Sequence, residues 1–302
     1  MLGETRRVTN ATVELVPSRK TRLAKLHERN DLKIVQFSDI HIEDGGDFRP
    51  DLLEKLIEET NELKPDLIAM AGDLTGEGYQ TEFEAAKEYL DRLECKNRIQ
   101  IMGNHDARNV GYRYFEDIFG PRNGSQTITT SDGSEAKIVY LDSTKPDIDD
   151  GEVGREYYAW IDSEFRDWDK GPKILMIHHH ILAVPGTGRD SNILRDAGDV
   201  MALLREVKVD LVLSGHRHVP YFWSISGVRL IHSGTGSTGR IRGNIGACYN
   251  IIDFGPEKVE ATLRVLEEDE YRPMASFSRT PDGKSGFYIN YEEYVRYDNL
   301  PF

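Results

Sequence analysis

Cysteine is nearly absent from this 302-residue chain, which holds only Cys95 and Cys248. Two isolated thiols make neither a disulfide framework nor a thiolate zinc site, so both read as reduced, buried small side chains. Long apolar runs are missing too. No stretch approaches the roughly 20 apolar residues that cross a bilayer, and Met1 to Lys20 lacks the apolar segment of a signal peptide. A cytoplasmic location with no membrane span is the expectation. Positive charge is also in deficit: the formal charge of −14 opposes the sequence-independent attraction to phosphate backbones, which disfavours a non-specific nucleic-acid partner. One segment runs the other way, since residues 1–30 carry seven Lys/Arg against three Asp/Glu. This basic N-terminal arm reads as a solvated surface segment, with docking as the minority reading. Internal repeats and low-complexity tracts are absent.

What is present is an ordinary globular composition, 38% hydrophobic and 30% charged, enough to bury a proper core. From Leu32 onward, short β-rich runs alternate with amphipathic stretches, the pattern of βαβ units. The spacing predicts strands over Leu32–Asp39, Asp66–Asp73, Arg98–Asn104, Gln126–Thr130, Ala136–Asp142, Lys173–His179 and Asp210–His216, then YFWSI, VRLIH and CYNIIDF. It predicts helices over Pro50–Leu63, Gln80–Leu93, Arg155–Trp168 and Ser191–Val207. In the first of these, Pro50 opens the first turn and Leu52, Leu53, Leu56, Ile57 and Leu63 share one face. The chain thus divides into the arm (1–30), a central α/β unit (31–266) and an acidic, aromatic extension (267–302). The extension holds Tyr271, Phe277, Phe287, Tyr288, Tyr291, Tyr294, Tyr297 and Phe302, too many aromatics for a solvated linker. Its GFYINY run reads as a strand. Packing against the core, the rim of the site or a partner subunit is expected, so a homo-oligomer is among the arrangements allowed.

The predicted strands repeatedly end in metal-ligand types. Asp39 and His41 follow the first, Asp73 the second, Asn104 and His105 the third; His178 to His180 close KILMI, and His216 with His218 close DLVLS. In open α/β sheets, sites form beyond the carboxyl ends of the strands, where residues distant in sequence converge. Carboxylate, imidazole and amide ligands together suit Mn, Fe, Co or Zn better than Ca or Mg, which prefer all-oxygen shells.

In order along the chain stand Asp-x-His (Asp39, His41), Gly-Asp (Gly72, Asp73), Gly-Asn-His-Asp (Gly103 to Asp106), an isolated histidine and Gly-His-x-His (Gly215 to His218). Each block alone is weak, but the ordered set resembles the calcineurin-like metallophosphoesterase family. The stretch HHHILAVPGTGRDSNILRDAGD followed by LVLSGHRH looks like the branch containing class III cyclic-nucleotide phosphodiesterases. The resemblance implies a four-layer α/β/β/α sandwich of two mixed sheets, with a dinuclear metal site at the strand C-terminal ends. It places one ion on Asp39, His41 and His218, the other on Asn104, His178 and His216, with Asp73 bridging both. The cofactors implied are two divalent or mixed-valence transition-metal ions, drawn from Mn, Fe, Zn or Co. A metal-bridging hydroxide would attack the phosphorus of a small-molecule phosphate ester, a phosphodiester first and among these a cyclic nucleotide. His105 would face the substrate as proton donor or charge stabiliser, and Asp106 would orient its other ring nitrogen.

Plainer readings compete at several positions. In the histidine run His178 is preferred as ligand because it directly follows KILMI; His179 is the fallback ligand or a substrate contact, and His180 is read as structural. The family's prolines after this pair are replaced here by His180 and Ile181, which alters the pocket wall. His27 and His232 are read as surface or packing residues. Arg189, Arg217, Arg240 and Arg242 lie in loops beside motifs and are candidate phosphate clamps, Arg189 and Arg240 foremost, although solvated loop arginines are the commoner case. Gly76 stands where purple acid phosphatases carry a tyrosine, so a tyrosinate-iron centre is not expected. Gly-Asn-His-Asp in place of Gly-Asn-His-Glu lowers the rank of phosphoprotein substrates. The alternatives are a phosphomonoesterase or nucleotide-diphosphate-lipid hydrolase and, in another class, a non-catalytic binding module that retains the metal site.

Overall fold

The computed structural model describes residues 32–130, 133–185, 187, 193–242, 245–255 and 258–278. The basic arm, Arg189 and the GFYINY run lie outside the described residues.

Strand β1 (Leu32–Phe37) is buried along its whole length because both of its faces are covered. Its period of two sends Leu32 and Ile34 into one apolar cluster and Val35 and Phe37 into another. The first cluster lies between two sheets. One sheet has the order β12-β11-β10-β1-β2-β3 and the other β4-β5-β6-β7-β9-β8. In the first, β1 runs parallel to β2 (Leu67–Met70), β2 parallel to β3 (Arg98–Gln100), and β10 (Cys248–Phe254) antiparallel to β1. In the second, β5 (Glu135–Leu141), β6 (Lys173–Ile177), β7 (Leu211–Ser214) and β9 (Val228–His232) are parallel. Antiparallel β4 (Gly124–Thr129) and β8 (Tyr221–Ile225) flank them.

Helices α1 (Pro50–Leu63), α2 (Gln80–Leu90) and α3 (Gly111–Phe119) cover the outer face of the first sheet through the second apolar cluster. Helices α4 (Arg155–Phe165) and α5 (Ala197–Glu206) cover the second sheet. The result is the expected four-layer sandwich. Helix α1 has the predicted limits and buries Leu52, Leu53, Leu56, Ile57 and Leu63; Lys64, at φ 48°, turns the chain out of it before Pro65. Truncating a fully buried side chain such as Leu56 would cost about 2–5 kcal/mol.

The dry inter-sheet layer contains one polar staple. Gln36 Nε2 donates to the carbonyls of Ser214 (3.0 Å) and Ile231 (3.1 Å) on the opposite sheet, and its Oε1 accepts from Asn250 Nδ2 (3.1 Å). Both polar ends of the Gln36 amide are engaged, so the staple helps to fix the register of the sheets, although Asn250 Oδ1 is buried without a partner. It sits next to Phe37 and Ser38, where β1 hands over to the site.

Three elements were not anticipated: α3, β11 (Lys258–Val265) and β12 (Glu270–Ser278). Strand β12 pairs antiparallel with β11, so residues 270–278 of the presumed extension complete the first sheet and bury Tyr271, Met274 and Phe277. Helix α5 starts at Ala197 rather than Ser191. Cys248 is buried, as expected, whereas Cys95 is only half-buried, and neither forms a disulfide among the described residues. Among the described residues no helix is long and apolar enough to cross a membrane.

Candidate metal centre

The parallel strands of both sheets deliver their C-terminal ends to one edge of the sandwich. Asp39, His41 and Asp73 arrive after β1 and β2, Asn104 after β3, His178 after β6, and His216 with His218 after β7. Of the twelve non-glycine residues with positive φ among those described, five belong to this group: Asp39 (53°), His41 (44°), Asp73 (52°), His216 (77°) and His218 (56°). Such backbone costs on the order of 1–3 kcal/mol per residue and persists where the surroundings over-determine it. Here it turns short loops so that side chains from both sheets point inward together. Gly72 (φ 93°) is required for another reason: a Cβ there would sit 2.5 Å from His178 Nδ1 and 2.8 Å from Gly103 N.

Two ligand clusters result. Asp39, His41, Asp73 and His218 present donor atoms that all lie within 4.8 Å of one another, and so do Asp73, His178 and His216. Asp73 belongs to both. Asn104 completes the second, its Oδ1 being 2.8 Å from His216 Nδ1 and 3.1 Å from His178 Nε2. Ring orientation is set from behind. His178 Nδ1 donates to Ala71 O (2.7 Å) and His218 Nδ1 to Arg240 O (2.7 Å), which leaves each Nε2 as a lone pair aimed inward. His178 Nε2 is 3.4 Å from Asp73 Oδ2, and His218 Nε2 is 3.3 Å from Asp39 Oδ1.

The donor set fits a pair of cations. Asp39 Oδ1 and His216 Nε2 are buried without a hydrogen-bond partner, and the two buried carboxylates pair only with imidazoles among the ion pairs of the described residues. Burial works to raise Asp39 and Asp73, yet His218 for the former and His178 for the latter outweigh it, and both carboxyls are pulled down. Burial would depress His178, but Asp73 carries it up to about 9; His218 is raised against burial by Asp39 in the same way. Burial dominates at His41, lowering it to about 3. The site therefore demands positive charge, which protons supply in part when nothing else does.

The remaining candidates fall out differently. His105 lies at the rim with Nδ1 donating to Gly76 O (2.6 Å) and its backbone N–H donating to Asp73 Oδ1 (2.8 Å). Asp106 does not orient that ring, contrary to expectation. Its carboxylate accepts from Leu74 N (3.0 Å), Thr75 N (2.8 Å), Thr75 Oγ1 (2.7 Å) and Gly103 N (2.9 Å), so it ties the Gly-Asp loop to the Gly-Asn loop. Burial, with Asp73 nearby, raises it to about 6. His179, the fallback ligand, stands in neither cluster: Nδ1 pairs with Ser143 Oγ (2.9 Å), Nε2 donates to Asp149 O (3.1 Å), and the ring is buried. His180 and His232 are buried packing residues.

Arg240, a candidate phosphate clamp, is engaged by carboxylates. Its guanidinium pairs with Glu43 (3.1 and 3.2 Å) and Asp47 (3.4 Å), a fold-level pairing across 197 and 193 residues that local sequence does not show. Arg217 is held differently. It is 7% exposed, it bonds the carbonyl of Thr187, and none of the ion pairs among the described residues includes it. Burial and the neighbouring charge of Arg242 lower its pKa.

Asp149 was missed altogether. It accepts from Asn104 Nδ2 (3.0 Å) and Arg108 Nη2 (3.3 Å). Its loop is rich in Asp and Gly, and nothing in that composition distinguishes it from Asp147 or Asp150.

The family profile for calcineurin-like phosphoesterases matches residues 32–220. A Synechococcus protein named a probable cyclic nucleotide phosphodiesterase is 30% identical over 51% of this chain and 58% of its own length. A Nostoc protein named a 3′,5′-cyclic-nucleotide phosphodiesterase is 26% identical over 64% of this chain and 74% of its own. The chain thus spans less than two thirds of the Synechococcus relative. Among solved structures, a dimetal phosphatase from Danio rerio superposes with a TM-score of 0.63 at 12% identity, over 82% of this chain and all of that one, a likeness of fold.

Proposed function

The chain belongs to the calcineurin-like phosphoesterase family, and on that premise we propose that it is a metal-dependent hydrolase of phosphodiesters, with cyclic nucleotides as the leading substrate class. The observation that carries this is the membership of Asp73 in both ligand clusters, the arrangement a pair of ions sharing one carboxylate requires. Asp39, His41 and His218 would hold one ion and Asn104, His178 and His216 the other. When bound, the pair supplies a water of lowered pKa and neutralises the phosphoryl oxygens. The mixed nitrogen and oxygen donors favour manganese or iron, with zinc and cobalt as alternatives.

The protein's own groups do the rest. His105, fixed through Nδ1 by the Gly76 carbonyl, offers Nε2 to the departing oxygen as a proton donor. Arg217 offers a desolvated guanidinium, outside every ion pair among the described residues, to an anionic substrate, where a charge-assisted bond is strongest. Asp106 holds the two loops that carry Asp73 and Asn104 in mutual register. The relatives named as cyclic-nucleotide phosphodiesterases support the choice of a diester.

The test is a panel of bis-p-nitrophenyl phosphate, p-nitrophenyl phosphate, and 2′,3′- and 3′,5′-cyclic nucleotides, assayed with added Mn²⁺. Diester turnover above monoester turnover is expected. Turnover of the monoester alone would overturn the substrate class, and inactivity on every member with two ions bound would favour the binding-module reading.

A further inference from the structure

The ligand Asn104 raises a problem that the other ligands do not. A carboxylate or a pinned imidazole presents only lone pairs to a cation, whereas an amide turned by half a rotation presents N–H donors instead. Something must hold the oxygen inward. In this structure Asn104 Nδ2 donates to Asp149 Oδ1 at 3.0 Å, and Oδ1 thereby faces His216 Nδ1 and His178 Nε2.

Asp149 is itself anchored twice. Arg108 Nη2 reaches its carboxylate at 3.3 Å while Arg108 Nη1 holds Glu77 at 3.0 Å, and His179 Nε2 donates to its backbone carbonyl at 3.1 Å. Asn109 N, donating to Asp147 Oδ1 at 3.2 Å, fastens the same loop a second time. The loop carrying Asp149 follows β5 in the second sheet, while Asn104 follows β3 in the first, so this bond links the two sheets at the metal edge. No bond of this kind reaches Asp39, His41 or His218 from Asp149 among the described residues.

We propose that Asp149 is a positioning residue that sets the affinity of the second metal position alone, by fixing the amide of Asn104 oxygen-inward and adding a negative charge behind it. The inference rests on the dinuclear reading of the site but not on the identity of the substrate. It also makes the two positions unequal: one is built from ionic and imidazole ligands, the other depends on an amide held by a loop.

The experiment is calorimetric titration of the metal-free full chain with Mn²⁺, which needs no substrate and so stands or falls apart from the phosphodiesterase assignment. For Asp149→Ala we expect the weaker of two binding steps to lose roughly 10–100-fold in affinity, the tighter step to stay within about twofold, and melting to be little changed. Asp149→Asn keeps an acceptor without the charge and should recover part of the loss. Glu152→Ala, on the same loop but without contact to Asn104, should bind as wild type. Unchanged binding in Asp149→Ala would overturn the proposal. So would equal weakening of both steps, or a loss reproduced by Glu152→Ala, because either would mean a general loop defect. Should Asp149→Ala fail to fold, a wild-type isotherm for Asp149→Asn would overturn the role of the charge, and a weakened second step alone would support it.

Discussion

The Nε2 atoms of His41 and His218 lie 3.0 Å apart. The opposite nitrogen of His218 is committed to the Arg240 carbonyl, so its lone pair faces the partner ring across a gap that also holds Asp39 Oδ1, a buried acceptor with no donor. Two nitrogens and a carboxylate oxygen converging this closely are stable around a cation and costly without one.

Removing metal should therefore destabilise the fold as well as abolish turnover. A ligand held at about 100 times its dissociation constant contributes about 2.7 kcal/mol. Chelator-treated protein should melt several degrees lower and recover on addition of Mn²⁺. An unchanged melting temperature would contradict metal binding at the buried clusters.

His105 should matter in proportion to the basicity of the leaving group. General acid catalysis is worth about 10²–10⁴-fold, and a nitrophenolate departs nearly unaided. His105→Ala should keep both ions and lose far more turnover on a cyclic nucleotide than on bis-p-nitrophenyl phosphate. Equal losses would assign His105 to electrostatic stabilisation, and loss of metal would make it a ligand.

Arg217 carries a buried charge that no carboxylate among the described residues neutralises. Replacing such a group by an apolar one commonly leaves stability unchanged or raises it, whereas losing a charged contact to substrate costs about 1.5–3 kcal/mol. Arg217→Leu should raise KM roughly 10–100-fold while melting no lower than wild type. A lower melting temperature with normal KM would show the arginine to be structural.

His232 gives a pH signature away from the metals. Burial alone lowers its pKa from 6.5 to about 3, so between those values the unfolded chain binds a proton that the folded chain refuses. The sign follows: this contribution is fully present above pH 6.5, and stability falls as pH drops from there toward 3, by up to about 1.4 kcal/mol per unit. Urea midpoints for His232→Gln, whose side chain retains polar capacity beside Ser214 Oγ, should fall less between pH 7 and 5 than those of wild type. Identical slopes would refute the assignment.

Much of this was legible in the sequence, for a physical reason. Ligands for a site beyond strand ends must sit just after apolar runs, so Asp39, Asp73, Asn104, His178 and His216 announced themselves by position. Just past β6, His178, the preferred ligand, falls into a cluster with Asp73 and His216, whereas His179 pairs with Ser143 and the Asp149 carbonyl. What pairing at a distance decides was hidden: Arg240 with Glu43, Asn104 with Asp149, and Asp106 with the backbone around Thr75. Strand β11 carries a clear alternation in Val259, Ala261, Leu263 and Val265, yet was not among the predicted strands. Helix α3 was missed because its nine residues are aromatic-rich and short of strong helix formers.

The central claim is that one carboxylate serves both ligand clusters, and Asp73→Asn tests it most directly. Metal content per chain should be measured by mass spectrometry on folded, Mn²⁺-loaded protein, alongside turnover of bis-p-nitrophenyl phosphate. The account predicts close to two ions for wild type, a loss at both positions in the variant, and a fall in turnover of about 100-fold or more, the upper end of what single ligand-shell changes cost. Arg189→Ala, outside the ligand set, should keep both ions and lose far less turnover than Asp73→Asn. Two ions and near-normal turnover in Asp73→Asn would contradict the dinuclear account.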